Sequence, residues 1–198
     1  MTRLAAQAAA IDSTDGRRRR GQDNRARIVE ALMALIQEGN LSPSAEQVAA
    51  QADVGLRTVF RHFQDMDSLY REISKVIEEE LRLIIARPMH ATDWRGRVME
   101  LIARRAEVFE RIGPFKRAAD ALRHRSRFLG ADHDRLVGAL RALLAAALPA
   151  EVAGDPLRIE VLDLLMSFEA WSRLRVEQRL PPERAQAVIE DAVRKLIG

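Results

Sequence analysis

The chain has 198 residues, 47% of them hydrophobic and 31% charged, which excludes a disordered polymer and leaves enough length to bury a substantial core. It contains no cysteine, so disulfide frameworks, thiolate metal sites and thiol catalysis are ruled out. The net charge of +3 admits a nucleic-acid partner but argues for one only weakly, because the basic residues are nearly all Arg, with Lys confined to Lys75, Lys116 and Lys195.

Residues 1–22 read as a flexible basic arm: Arg17–Arg20 follow a stretch with no apolar face to anchor it. Leu4–Ile11 is too short and too polar for a signal-peptide core. No run approaches the ~20 apolar residues that a membrane span requires, so the expectation is a cytoplasmic protein without a membrane partner.

A first helix is expected after Asp23 or Asn24, with Ile28, Ala31, Leu32, Leu35 and Ile36 along one stripe and Gly39 as its stop. Ser44-Ala45-Glu46-Gln47 has the form of a capping box for a short second helix. Ser42 followed by Pro43 is a competing start, and spacing does not choose between them. Asp53-Val54-Gly55 makes a tight turn, and a third short helix covers Leu56 to Phe63, apolar at Val59, Phe60 and Phe63. Asp65 caps a fourth helix, Met66 to Ala86. Further helices are expected at 93–112, 114–127, 132–148, 156–179 and 182–197, separated by Gly and Pro. The prediction is an all-α fold of about nine helices, with a helix-turn-helix domain at 23–68 and a helical effector-binding and dimerisation domain at 69–198.

Two short helices across a three-residue turn, braced by a longer helix before them, are the parts of a helix-turn-helix, whose second helix enters the major groove. The third helix offers Leu56, Arg57, Thr58, Arg61 and His62 on its outer side. Arg can grip guanine through O6 and N7, while Thr and His can donate to phosphates.

The stretch from Arg27 to about Ile73 resembles the DNA-binding region of TetR-family repressors. The matching residues are Ile28, Ala31, Leu32, Gly39, Val48, Ala49, Ala52 and Val54, then Thr58-Val59-Phe60-Arg61-His62-Phe63 with Asp65, Asp67 and Leu69. The resemblance implies base readout by Leu56, Arg57 and Arg61, with Phe60 at the groove wall. It places Ser44, Ala45, Thr58 and His62 near the DNA backbone and Glu46 at the groove or in solvent. The chain departs from the family pattern at four positions. Gly is usual where Asp53 stands, Ser where Gly55 stands, a phosphate-binding Tyr where Phe60 stands and a Lys where Met66 stands. The arginine run of the arm is a possible compensation for those lost phosphate contacts.

The resemblance also implies a homodimer on a palindromic operator, with half-sites ~34 Å apart, and a small-molecule pocket in the C-terminal body. Val161, Leu164, Leu165, Phe168 and Trp171, with Val188, Ile189 and Ala192 of the last helix, are the residues expected at the dimer interface. Trp94, Met99, Phe109, Phe115, Leu122 and Met166 are the pocket candidates, although such residues at helical spacing are more often plain core. Arg104, Arg105 and Glu107, amid apolar neighbours, suit either a charged ligand or ordinary ion pairing.

Nothing assembles a nucleophile with a base, Asp132-His133-Asp134 reads as a helix start and not as a metal site, and no cofactor motif is present. The expectation is a regulator, not an enzyme. The competing reading is a helical protein-interaction module whose basic arm binds nucleic acid or membrane. Such a module has no need of Arg57, Thr58, Arg61 and His62 displayed together past a tight turn.

Overall fold

A computed structural model describes residues 21–198, and among these the fold is all-helical, without strands. The expected arm therefore lies outside the described residues, except for Gly21 and Gln22. These two belong to α1, which covers 21–37, so Asp23 and Asn24 sit inside the helix and do not cap it. The remaining elements are α2 (Ala45–Gln51), α3 (Leu56–His62), α4 (Met66–Ile85), α5 (Trp94–Leu122), α6 (Arg127–Ala147), α7 (Ala150–Ala153), α8 (Pro156–Leu165), α9 (Phe168–Ser172), a π-helical turn (Arg173–Glu177) and α10 (Pro182–Ile197). The chain forms two compact units, and the division falls inside α4, between Lys75 and Val76.

In the first unit, local chemistry sets each boundary. Gly39 ends α1 with φ 97°, and the N–H groups of Gly39 and Asn40 close back on the carbonyls of Ile36 and Leu35. This double closure is the Schellman arrangement, which the left-handed Gly makes possible. Ser44 wins the start of α2: its hydroxyl accepts from the Gln47 N–H, and the Gln47 side chain accepts from the Ser44 N–H. Asp65 caps α4 by accepting from the Ser68 N–H at 2.7 Å. Ile28, Leu32, Ile36, Val48, Val59, Phe63 and Leu69 are buried together as the core of this unit.

The second unit departs from expectation in three places, each with a physical reason. First, Gly113-Pro114 does not break the chain, and α5 runs straight through it. The fixed φ of Pro is itself helical, and burial of Ile112 and Ala118 on either side holds the helix together. Secondly, α6 begins at Arg127 because Ser126 accepts from the Leu129 N–H, so Gly130 and Asp132-His133-Asp134 lie within the helix and do not start it. Thirdly, the stretch 156–179 is not one helix. It stops after Leu165, restarts at Phe168 on the cap of Ser167, and widens into the π-turn. α5 packs against α6 and α10, and its buried face joins Leu144, Leu162, Trp171 and Val193 in one core.

Candidate nucleic-acid interface and C-terminal cavity

At seven residues, α3 is too short to persist alone in water, so its position is set by what it packs on. Val59 within it and Phe63 at its C-cap turn inward and are almost fully buried. Arg25 of α1 fixes the far end through three contacts. It donates to the His62 carbonyl at 2.9 Å, lies 4.4 Å over the Phe63 ring and pairs with Glu72 of α4 at 2.9 Å. Partial burial pushes the Glu72 carboxyl upward, but the Arg25 hydrogen bond and the charges of Arg25 and Lys75 outweigh it and hold the group below its ordinary value.

The turn before α3 repeats the ending of α1 with a different residue. The Asp53 and Val54 N–H groups close on the carbonyls of Ala50 and Ala49, and Asp53 takes the left-handed conformation at φ 51°. Arg27 donates to the Ala52 carbonyl at 2.6 Å and reaches the carbonyl and carboxylate of Asp53. Gly55 opens α3 without a side-chain cap. The turn is thus closed by backbone bonds and Arg27, with an aspartate where a glycine costs less.

With Val59 and Phe63 inside, helical geometry sends the opposite face out. Arg57 and Arg61, four residues apart, share it, and both are exposed. Leu56 is exposed beside them, and Phe60 leaves half of its surface in solvent (50%). Thr58 and His62 form the flank and are only part-exposed. His62 turns further in than expected: its Nε2 is covered by protein and has no hydrogen-bond partner among the described residues. Burial, then the charges of Arg61 and Arg25, push its imidazole below the usual histidine value. The covered Nε2 is therefore not available to donate to a phosphate.

On α2, Ser44 and Glu46 are exposed, but the Ala45 side chain is buried (8%) and belongs to the core. Hydrogen bonds from its own N–H and from the Ser44 hydroxyl hold the Glu46 carboxyl below the usual range.

In the second unit, a small, partly open cavity with room for about one water molecule is lined by Arg105 together with Ile102, Ala106, Phe109, Met166, Trp171 and Ile189. Of the six pocket candidates, Phe109 and Met166 line it. Trp94 and Met99 instead pack half-buried against the core, where Trp94 stacks on Arg95 at 4.4 Å. Phe115 and Leu122 lie beyond Pro114 on α5, half-buried and away from the lining. The residues that spacing failed to connect with this cavity are Ile102, Arg105, Ala106, Trp171 and Ile189. They come from three helices far apart in sequence, and no local pattern links them.

The expected dimer residues divide into two groups. Phe168, Trp171 and Ile189 are buried inside the subunit, because the restart after Met166 rotates α9 inward, where Phe168 meets Phe109 edge-on at 5.5 Å. Leu165 and Ala192 are half-buried. Val161, Leu164 (66% exposed) and Val188 remain outside, and Leu157 (80% exposed) extends the stripe along α8. Leu157, Val161 and Leu164 fall at i, i+4 and i+7, so this exposed apolar strip occupies one face.

Among the described residues no group of acids and histidines is placed to hold a metal, and no helix is long and apolar enough to cross a membrane. No family model and no curated protein sequence matches the chain. Solved structures do match. A transcriptional regulator from Rhodococcus sp. Rha1 superposes with a TM-score of 0.68 over 87% of this chain and 95% of its own, at 16% identity. The multidrug-binding protein EbrR, in complex with imidazole, superposes with a TM-score of 0.60 over 87% of this chain and 88% of its own, at 21% identity. The chain therefore has the all-helical fold of these two proteins.

Proposed function

We propose that the protein is a transcriptional regulator that binds a palindromic operator as a homodimer and is released from it by a small-molecule effector, acting as a cytoplasmic repressor. The observation that carries this reading is the outward face of α3. Arg57 and Arg61 stand exposed just past the tight Asp53 turn, with Phe60 and Leu56 beside them and the helix pinned from behind by Val59, Phe63 and Arg25. Two cationic forks on the exposed side of a short, braced helix are what a major groove receives.

Leu56, Arg57 and Arg61 are the base-reading residues in this proposal, with Phe60 at the groove wall and Ser44 and Thr58 near phosphates. The strip Leu157, Val161, Leu164 and Val188 is the dimer surface, since a twofold operator needs two such helices and the strip is apolar and exposed. Both structural neighbours are described as regulatory or drug-binding proteins, which supports a ligand-responsive regulator.

Selection of duplexes from a random pool, followed by mobility shifts on the enriched sequence, tests the proposal. Arg57→Ala and Arg61→Ala should each weaken binding by about 1–3 kcal/mol and relax preference at one base position per half-site. Arg184→Ala, on the surface of the other unit, should leave binding unchanged. A pool that yields no enriched sequence, or equal losses from all three variants, rejects it.

A further inference from the structure

Leu56 and Phe60 of α3 are large apolar side chains left in solvent, 37% and 50% exposed. A lone exposed leucine or phenylalanine means little, because every protein surface carries some. These two lie four residues apart, so they share one face of α3 and form a single apolar patch. Arg57 and Arg61, each the next residue along, run beside the patch and are exposed as well. No residue of α3 is acidic. The outer surface of the helix thus sets a row of two cations against a row of two apolar groups.

The two rows call for different features of one partner. The arginines suit an anion, and they make the apolar interior of another protein a poor cover, since burying an unpaired guanidinium is costly. The patch needs an apolar surface within reach of that anion. In the major groove of duplex DNA the C5-methyl of thymine is the only methyl group on the base edges. The hydrogen-bond donors and acceptors around it lose water without gaining a partner when a hydrocarbon covers them. Phe60 has no hydroxyl, so its side chain brings no donor to a phosphate. Residues four apart on a helix are separated by about 6 Å along its axis, and stacked bases by about 3.4 Å, so the patch spans about two base steps.

We propose that Leu56 and Phe60 read thymine through its methyl group, at one or two thymines within about two base steps of each other and beside the guanines that Arg57 and Arg61 grip. For Phe60 this moves the contact from the wall of the groove to a base edge. The proposal rests on the reading of the protein as an operator-binding regulator and names the chemistry of its half-site.

The full-length protein and the operator enriched from the random pool supply the test. Each half-site thymine is replaced in turn by deoxyuridine, which removes the methyl and leaves the hydrogen-bonding edge intact. At one or two thymines no more than about two steps apart, the replacement should weaken binding about fourfold per half-site, which is what one buried methyl group supplies. At the same position 5-methylcytosine should bind more tightly than cytosine. Leu56→Ala or Phe60→Ala should shrink the deoxyuridine penalty toward nothing, whereas Arg57→Ala should leave it in place. Indifference to deoxyuridine at every thymine, equal binding of cytosine and 5-methylcytosine, or a penalty undiminished in both alanine variants of the patch each overturns the proposal. Weakened self-association of those variants with the penalty intact assigns the patch to a second copy of the chain and likewise overturns it. The base replacements need no variant protein, so they decide the outcome even where a substitution prevents folding. A pool that enriches no sequence rejects the regulator and this inference together. An enriched operator indifferent to the methyl rejects this inference alone.

Discussion

Arg61 and Arg105 carry the same side chain in opposite surroundings. Arg61 stands in solvent on a helix whose buried side is two residues wide, whereas Arg105 is sealed into a 29-residue helix and satisfied only by two carbonyls. In the first unit the core is small and serves to hold cations outward. In the second the core is extensive and holds Arg105 and Lys116 inward. A guanidinium in water is ready for a polyanion that brings its own hydration and counterions. A guanidinium in an apolar wall discriminates strongly, because any partner that leaves it unpaired is penalised. The contrast separates a cation free to meet an outside partner from one held by the fold itself.

The same contrast governs stability, and substitution can break it. Leu162 is fully buried and Leu164, two residues on, is two-thirds exposed. Leu162→Ala should cost about 2–5 kcal/mol in chemical denaturation. Leu164→Ala should leave the subunit's own stability nearly unchanged and instead weaken self-association in sedimentation equilibrium. Equal losses from the two would remove the distinction between core and surface strip. A smaller gain is available in the turn before α3. Asp53→Gly relieves a left-handed non-glycine residue and should raise stability by about 1 kcal/mol in thermal denaturation, with no change in the operator sequence preferred. A loss of stability would mean that the Arg27 contacts outweigh the strain.

The smallest effect concerns acid. The folded Glu72 carboxyl is held below its ordinary value of 4.5, so the Arg25 pair contributes fully above that value and is lost as pH falls through the lower folded value. Wild-type protein should therefore exceed Glu72→Gln in stability near neutrality, by less than about 1 kcal/mol for a part-exposed pair, and the two should converge in acid. A gap that widened on acidification would reverse the assignment.

Local signals carried the first unit. Capping residues, a left-handed Gly39 and apolar spacing over three or four residues placed α1 to α4 within a few positions, and the outward Arg57 and Arg61 followed from Val59 and Phe63 pointing in. What local pattern missed was set at long range. Nothing between 156 and 179 marks a break, because the break depends on Ser167 capping α9 and on Arg105, 61 residues away, taking the Met166 carbonyl. Gly113-Pro114 has the local form of a break, because the burial that holds its flanks together is a tertiary fact. The inward tilt of His62 likewise depends on Arg25 closing behind it.

Proline at position 114 has a mechanical consequence. It brings no N–H to the Glu110 carbonyl one turn earlier, so the ladder of α5 has a missing rung there while the rods on either side are intact. A rod with one absent rung bends most cheaply at that level. Any bend in α5 would concentrate at residues 110–114, and the burial of Ile112 and Ala118 is what opposes it.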